Sequence, residues 1–232
     1  GRMPSGDGPH IIGGGMRLAQ QMHDFDWWTA FLCFQSSVGP HPPVAYLPSA
    51  LAYTFVGVGV DWAHLVGGAL VLWLLWDGLR RFGAGIVGAL FCLSSGALWI
   101  QAEGAGVDLM AAVCVLQALS HLVKSDRLEH RRHVLLWAVW MGLGFLCKYT
   151  APVFMVAPCL VAGWWVLRDR KWKRVVQAFG VFMGVAGLWY LIHADGVMGY
   201  IAQSQGADEQ TRALMTNKAL VANPWAAEEV LW

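Results

Sequence analysis

Long apolar stretches alternate with short polar segments along most of this chain, and the pattern predicts membrane-spanning helices. A spanning helix needs about 20 mainly apolar residues, with a rise of ~1.5 Å each. Candidate spans lie at about Asp61–Leu79, Ala84–Ile100, Val107–Val123, Val175–His193 and, twice, within His133–Leu167. The sequence therefore predicts an all-α fold, a polytopic membrane helix bundle with about six transmembrane helices.

The run from residue 133 to residue 167 is too long for one span and is predicted to form a helical hairpin. As a single helix it would place basic segments on both sides of the membrane. A break near Lys148-Tyr149-Thr150 keeps both on one side. Pro152 fits the first turn of the returning helix, because its missing N–H costs little there.

The segments outside the predicted bundle are shorter or more polar. Residues 44–56 are apolar, but about 13 residues suit an interfacial or re-entrant helix better than a crossing one. The predicted organisation is an outer loop with interfacial helices at 1–60, the bundle at 61–193, and an outer loop or the start of a missing C-terminal part at 194–232. Neither end looks like a natural terminus, so we expect a fragment lacking at least one upstream helix.

Composition supports the membrane class. Hydrophobic residues make up 57% of the 232 residues and charged residues 13%, whereas soluble domains carry about 25% charged residues. The five cysteines include no C-x-x-C, which argues against a disulfide framework or a thiolate metal site. The net charge of +1 gives no indication of nucleic-acid binding.

Basic residues are concentrated in three patches at 80–81, 124–132 and 168–174. Basic residues near membrane ends favour the cytoplasmic side, so we expect all three patches to share that side. The intervening loops then lie on the opposite, outer face. Those loops contain the candidate functional residues, which are Asp7, His41, Glu103, Asp108 and Lys148.

Two candidates lie in the first outer loop. Asp7 stands between glycines in Ser-Gly-Asp-Gly-Pro, which lets the backbone approach a ligand closely; the alternative is an ordinary Gly/Pro turn. His41 precedes two prolines that fix the backbone at a helix entrance, and the alternative is a helix-start turn with an interfacial histidine.

The other candidates flank later helices. Glu103 and Asp108 lie on either side of the turn between the second and third spans. Asp108 could be a simple helix cap, although an acid at a membrane boundary is often functional. Lys148, in the predicted hairpin break, either reaches towards lipid phosphate or binds the phosphate of a lipid-linked substrate.

The order of several segments resembles a known family. An acidic loop is followed by HPPVAYLPSALAYTFVG, a helix ending LRRFG, a segment containing AEGAGVDLM, and GLGFLCKYTAPVF. From about Asp7 to Trp189 this resembles the C-type membrane glycosyltransferases (GT-C), in the bacterial branch related to protein O-mannosyltransferases and the lipid A aminoarabinose transferase. Many members have Asp-Glu where this chain has Asp7-Gly8, so a second acid is absent.

The resemblance implies an activity and a set of roles. Such enzymes transfer a sugar from a polyprenyl-phosphate donor on the non-cytoplasmic side of a membrane, here a bacterial inner membrane. Asp7 falls where the family has its catalytic carboxylate, and His41 falls in its HPP motif. Asp108 and Lys148 match an Asp at a helix start and a Lys after the apolar G-L run.

The chemistry expected of these residues is compatible with that activity. An outer-face carboxylate can act as the base that activates an acceptor hydroxyl, and the acceptor can be a glycan, a lipid or a protein. The departing phosphate needs a cation, for which Lys148, His41 and a divalent metal ion are the alternatives. We expect a single inverting displacement with Asp7 as the base.

Two other classes of protein fit parts of the pattern. A transporter or flippase also contains acids and a broken helix, but it would need charges near the bilayer midplane rather than at the predicted outer boundary. A non-catalytic membrane scaffold would lack a converging acid and base, and Gly8 in place of a second acid leaves this alternative open.

Overall fold

The computed structural model describes residues 16, 19–20, 43–56, 63–96, 98 and 107–204. Within these ranges the chain forms helices and turns without a strand, which confirms the all-α prediction. The chain divides into two compact units, residues 1–187 and residues 188–232.

Seven α-helices follow one another along the described residues of the first unit. A 3₁₀ turn, Pro43–Tyr46, leads into α1, and a π-helical turn, Ala63–Gly67, leads into α2. The α-helices are α1 (Leu47–Val56), α2 (Gly68–Phe82), α3 (Ile86–Leu93), α4 (Val107–Lys124), α5 (Arg131–Phe145), α6 (Ala151–Asp169) and α7 (Trp172–Phe182), which continues into a π-helical turn, Met183–Gly187.

The second unit contains α8 (Leu188–Ile192) and α9 (Ala194–Ser204). The indole of Trp189 and the imidazole of His193 stack with ring centroids 4.8 Å apart. His193 Nδ1 also lies 2.9 Å from the carbonyl oxygen of Trp189. Both contacts join residues one helical turn apart, so they fix the end of α8 locally.

Two helical segments of the described residues are long and apolar enough to cross a membrane. They are Ala151–Asp169 and the continuous stretch Trp172–Ile192, with mean hydropathies of 1.5 and 1.8. Only 28% and 22% of their most apolar windows are buried, whereas a core helix of a soluble protein is mostly buried. These exposed apolar surfaces support membrane association through two helices.

The hairpin break is confirmed. α5 ends at Phe145 and α6 begins at Ala151, with Pro152 in the first turn of α6. The predicted helix at 107–123 is also present, as α4.

The predicted span at 84–100 is interrupted. Its first helix, α3, ends at Leu93, and the Ser94 hydroxyl donates to the carbonyl oxygen of Phe91 at 2.7 Å. Serine hydroxyls that bond to nearby backbone groups compete with continued helix formation. The next described residues, Ser94 and Ser95, lie outside a helix.

Helix α4 packs against α2, α5 and α6, and α5 packs against α7. Small residues permit these close approaches. A Cβ atom added to Gly78 of α2 would lie 2.9 Å from Leu116 of α4. One added to Gly142 of α5 would lie 2.7 Å from Val185 in the π-helical turn after α7. An alanine at either position would therefore force the facing side chain to shift.

The turn between α4 and α5 has an unusual backbone. Asp126, Arg127 and Leu128 are all left-handed, with φ values of 45°, 50° and 68°, which costs roughly 1 kcal/mol for each residue. The Ser125 hydroxyl accepts a hydrogen bond from the Leu128 N–H at 3.2 Å. The Leu128 side chain is fully buried in the core between α4, α5 and α6, and this burial offsets the strain.

Candidate functional site

Polar contacts place the three basic patches at one end of the first unit. Arg81 Nη1 lies 3.3 Å from His121 Nε2, near the end of α4. Lys171, between α6 and α7, forms an ion pair with Glu129 in the α4–α5 turn. We call this the basic end, defined by residues 80–81, 124–132 and 168–174. The contacts agree with the expectation that these patches share one side.

The opposite end of α4 contains the candidate site. Asp108 lies in the first turn of α4, and Lys148 lies in the turn that follows α5. Their side chains form an ion pair. Sixteen residues separate Asp108 from Lys124, which corresponds to about 24 Å along the helix axis. The pair is therefore nearly a membrane thickness from the basic end.

Backbone hydrogen bonds fix the turn that holds Lys148. The Cys147 N–H donates to the Gly144 carbonyl at 3.1 Å, and the Lys148 carbonyl accepts from the Ala151 N–H at 3.0 Å. These bonds close the end of α5 and the start of α6. The Lys148 ammonium thus projects from a short, well-defined corner between two helices.

The 3₁₀ turn Pro43–Tyr46, which begins with the last proline of the HPP motif, adjoins this corner. The Val44 N–H donates to the Leu146 carbonyl at 2.8 Å, and Pro43 and Val44 are buried. Val44 stands three positions after His41, and Leu146 two positions before Lys148. Two segments that the sequence separates by about a hundred residues are thus in direct contact.

The two side chains of the ion pair differ in their exposure to solvent. The Asp108 side chain is 67% exposed and the Lys148 side chain 27% exposed. An exposed pair adds about 0–1 kcal/mol to stability, so its main effect is to position the ammonium. Asp108 is the second residue of α4, and a carboxylate in the first turn interacts favourably with the helix dipole.

The other predicted site residues, Asp7, His41 and Glu103, lie outside the described residues. Their convergence with Asp108 and Lys148 stays a prediction. In the ranges that the structure describes, no three His, Cys, Asp or Glu side chains are grouped to hold a metal ion.

A polar network near the basic end was missed by the sequence analysis. Gln117 Nε2 donates to the Leu74 carbonyl at 2.8 Å and to Asp77 Oδ2 at 2.9 Å. Arg81 Nε lies 2.7 Å from the same carboxylate oxygen. The only sequence signals were two i, i+4 spacings within apolar helices, Asp77 with Arg81 and Gln117 with His121.

No known protein family, no curated protein and no solved structure matches the chain. The candidate site is therefore defined by the contacts of this chain's own residues, above all the Lys148–Asp108 ion pair.

Proposed function

We propose that this chain is a membrane glycosyltransferase that uses a polyprenyl-phosphate sugar at the end of the bundle opposite the basic end. The observation that carries the proposal is the Lys148–Asp108 pair, held in a corner that the 3₁₀ turn Pro43–Tyr46 contacts. A phosphate at the membrane boundary is proposed to reach this cation and acid. The bundle is proposed to have about six spans, in a bacterial inner membrane.

The proposed reaction is one displacement at the anomeric carbon. An acceptor hydroxyl oxygen forms the new bond to that carbon, while the bond from the carbon to the phosphate oxygen breaks. The hydroxyl proton passes to the Asp7 carboxylate, and polyprenyl phosphate leaves with the bonding electrons. The configuration at the anomeric carbon inverts.

Lys148 supplies the positive charge for the departing phosphate. In the absence of substrate, Asp108 holds the Lys148 ammonium in place. A bound phosphate then shares that ammonium with Asp108, and His41 is proposed as a second contact to the phosphate. The prenyl tail would lie along exposed apolar helix surfaces, such as the face of α6 that carries Val153, Phe154 and Val156.

Release of free polyprenyl phosphate tests this proposal without knowledge of the acceptor. Membranes containing the full chain would be supplied with a panel of labelled polyprenyl-phosphate sugars and a membrane extract as the source of acceptors. We expect sugar-dependent release, reduced about 10²-fold or more by Lys148→Gln. The control, Lys173→Gln at the basic end, should retain the wild-type rate.

Two results would contradict the proposal. Movement of the intact sugar lipid across the bilayer without cleavage would assign the chain to the transporters. Equal release from the wild type and from Lys148→Gln would remove Lys148 from the reaction.

A further inference from the structure

The hydrogen bonds at the basic end determine where two histidine protons lie. The Arg81 guanidinium can only donate, so His121 Nε2 accepts from it. The proton of neutral His121 is then on Nδ1, which lies 3.0 Å from His133 Nδ1. His133 Nδ1 must accept, and its proton is on Nε2. His133 Nε2–H is thus a donor that takes no part in the Arg81–His121 and His121–His133 hydrogen bonds.

Positive charge surrounds His133. Lys124 lies one helical turn after His121, which contacts His133, and Arg132 precedes His133 in the chain. Both side chains, with Arg81, oppose a positive charge on the His133 ring. The His130 and His133 ring centroids are 6.4 Å apart. His121, by contrast, is only 1% exposed and is therefore buried. Cations from α2, α4 and α5 thus converge on one half-buried histidine.

Two carboxylates close to the basic end are already engaged. Asp77 accepts hydrogen bonds from both Arg81 and Gln117, and Glu129 pairs with Lys171. Residues 77–82, 124–132 and 168–174 together contain eleven Lys and Arg residues but four Asp and Glu residues. These acids therefore leave a surplus of positive charge at the basic end.

The flanking side chains are typical of contact with lipid. Phe82, next to Arg81, is 51% exposed, and Val123, next to Lys124, is 57% exposed. Arg80 lies over the indole of Trp76, 5.9 Å from the ring centroid. Basic side chains beside exposed apolar ones match the headgroup and the acyl region of a bilayer.

We infer that Lys124, Arg132 and His133 bind the phosphate group of an anionic membrane lipid at the basic end. The two cations neutralise the phosphate charge, and His133 Nε2–H donates to one of its oxygens. Phe82 and Val123 contact the start of the acyl chains. This site is separate from the proposed transfer site, because about 24 Å of α4 lies between them.

The test uses the full chain purified in detergent and titrated with fluorescent phosphatidylglycerol. The double variant Lys124→Gln/Arg132→Gln should weaken binding about 25-fold, at about fivefold for each charge. The control, Lys173→Gln/Arg174→Gln, removes the same charge elsewhere at the basic end and should bind as the wild type does. Equal weakening by both pairs would overturn the site and indicate diffuse attraction only.

Two further measurements test the hydrogen-bond donor and whether the bound phosphate belongs to a lipid. His133→Ala should weaken phosphatidylglycerol binding, and His133→Gln, whose amide supplies a donor near the Nε2 position, should restore it. Phosphatidylcholine, whose headgroup has no net charge, should bind weakly. Failure of His133→Gln to rescue would remove the histidine donor, and complete displacement of the lipid by millimolar inorganic phosphate would overturn the lipid assignment.

Discussion

The Lys148 ammonium and the Asp108 carboxylate form an ion pair between residues 40 positions apart in the sequence. The pair joins the corner after α5 to the first turn of α4. Because the three basic patches meet at the other end of α4, the molecule separates its surplus positive charge from its candidate chemistry. This separation is the basis of the functional proposal.

A charge swap distinguishes a structural ion pair from a functional one. Lys148→Asp and Asp108→Lys alone should each inactivate transfer, and the double variant should restore the attraction between the two positions. We expect stability to change by only about 0–1 kcal/mol throughout, because the pair is exposed. Transfer should stay abolished in the double variant, since the cation has moved to α4. Thermal unfolding and polyprenyl phosphate release measure the two effects, and recovery of transfer by the swap would contradict the proposed role of Lys148.

The carboxylate assigned as base is tested by Asp7→Asn. The amide cannot take the proton from the hydroxyl that attacks the sugar, so the transfer rate should fall by about 10²- to 10⁴-fold. The amount of protein in the membrane should stay unchanged. Asp24→Asn, in the same predicted outer loop, serves as the matched control. A normal turnover rate for Asp7→Asn would require a different base.

The contact between Gly142 and Val185 makes a prediction about stability. Gly142→Ala places a Cβ 2.7 Å from Val185 Cγ1, and overpacking of this kind costs about 1–3 kcal/mol. Gly163→Ala, in α6, meets nothing within 4 Å and should be neutral or stabilising by up to about 1 kcal/mol. Circular dichroism during heating in detergent compares the two. A melting temperature for Gly142→Ala equal to that of the wild type would show that α5 and the turn after α7 are not in close contact.

The buried amide of Gln117 makes a further prediction. Its side chain is 1% exposed and donates to both the Leu74 carbonyl and Asp77. Gln117→Met removes both bonds and should destabilise the fold by about 1–3 kcal/mol. Gln117→Glu should destabilise it more, because two carboxylates would then face each other. A higher melting temperature for Gln117→Glu than for Gln117→Met would argue against this network.

Several features could be predicted from the sequence because their causes are local. The hairpin break follows from a charged residue and a proline at the centre of one long apolar run, and α5 and α6 do separate there. The shared location of the basic patches follows from their positions relative to the apolar stretches. The break after α3 was not predicted. The length of the apolar run does not show that the Ser94 hydroxyl competes for backbone hydrogen bonds there.

Other features depend on tertiary packing and could not be predicted. The sequence places Asp108 and Lys148 on the same face, but their direct pairing requires the relative position of α4 and α5. The Asp77–Gln117 bond likewise joins residues that lie 40 positions apart on two helices. Sequence spacing shows only which residues share a face of one helix. The contact of Val44 with Leu146 depends on how the 3₁₀ turn Pro43–Tyr46 packs against the corner after α5.

The proposed location of the two ends of the bundle on opposite sides of a membrane is tested most directly by labelling single cysteines. Thr150 and Arg127 are both exposed, and each would be changed to Cys in a chain whose Cys33, Cys92 and Cys159 are serine. A membrane-impermeant maleimide would be applied to intact cells and to inverted vesicles. We predict that position 150 reacts only from outside the cell and position 127 only from the cytoplasmic side. Labelling of both positions from the same side would contradict the topology, and with it the proposed transferase.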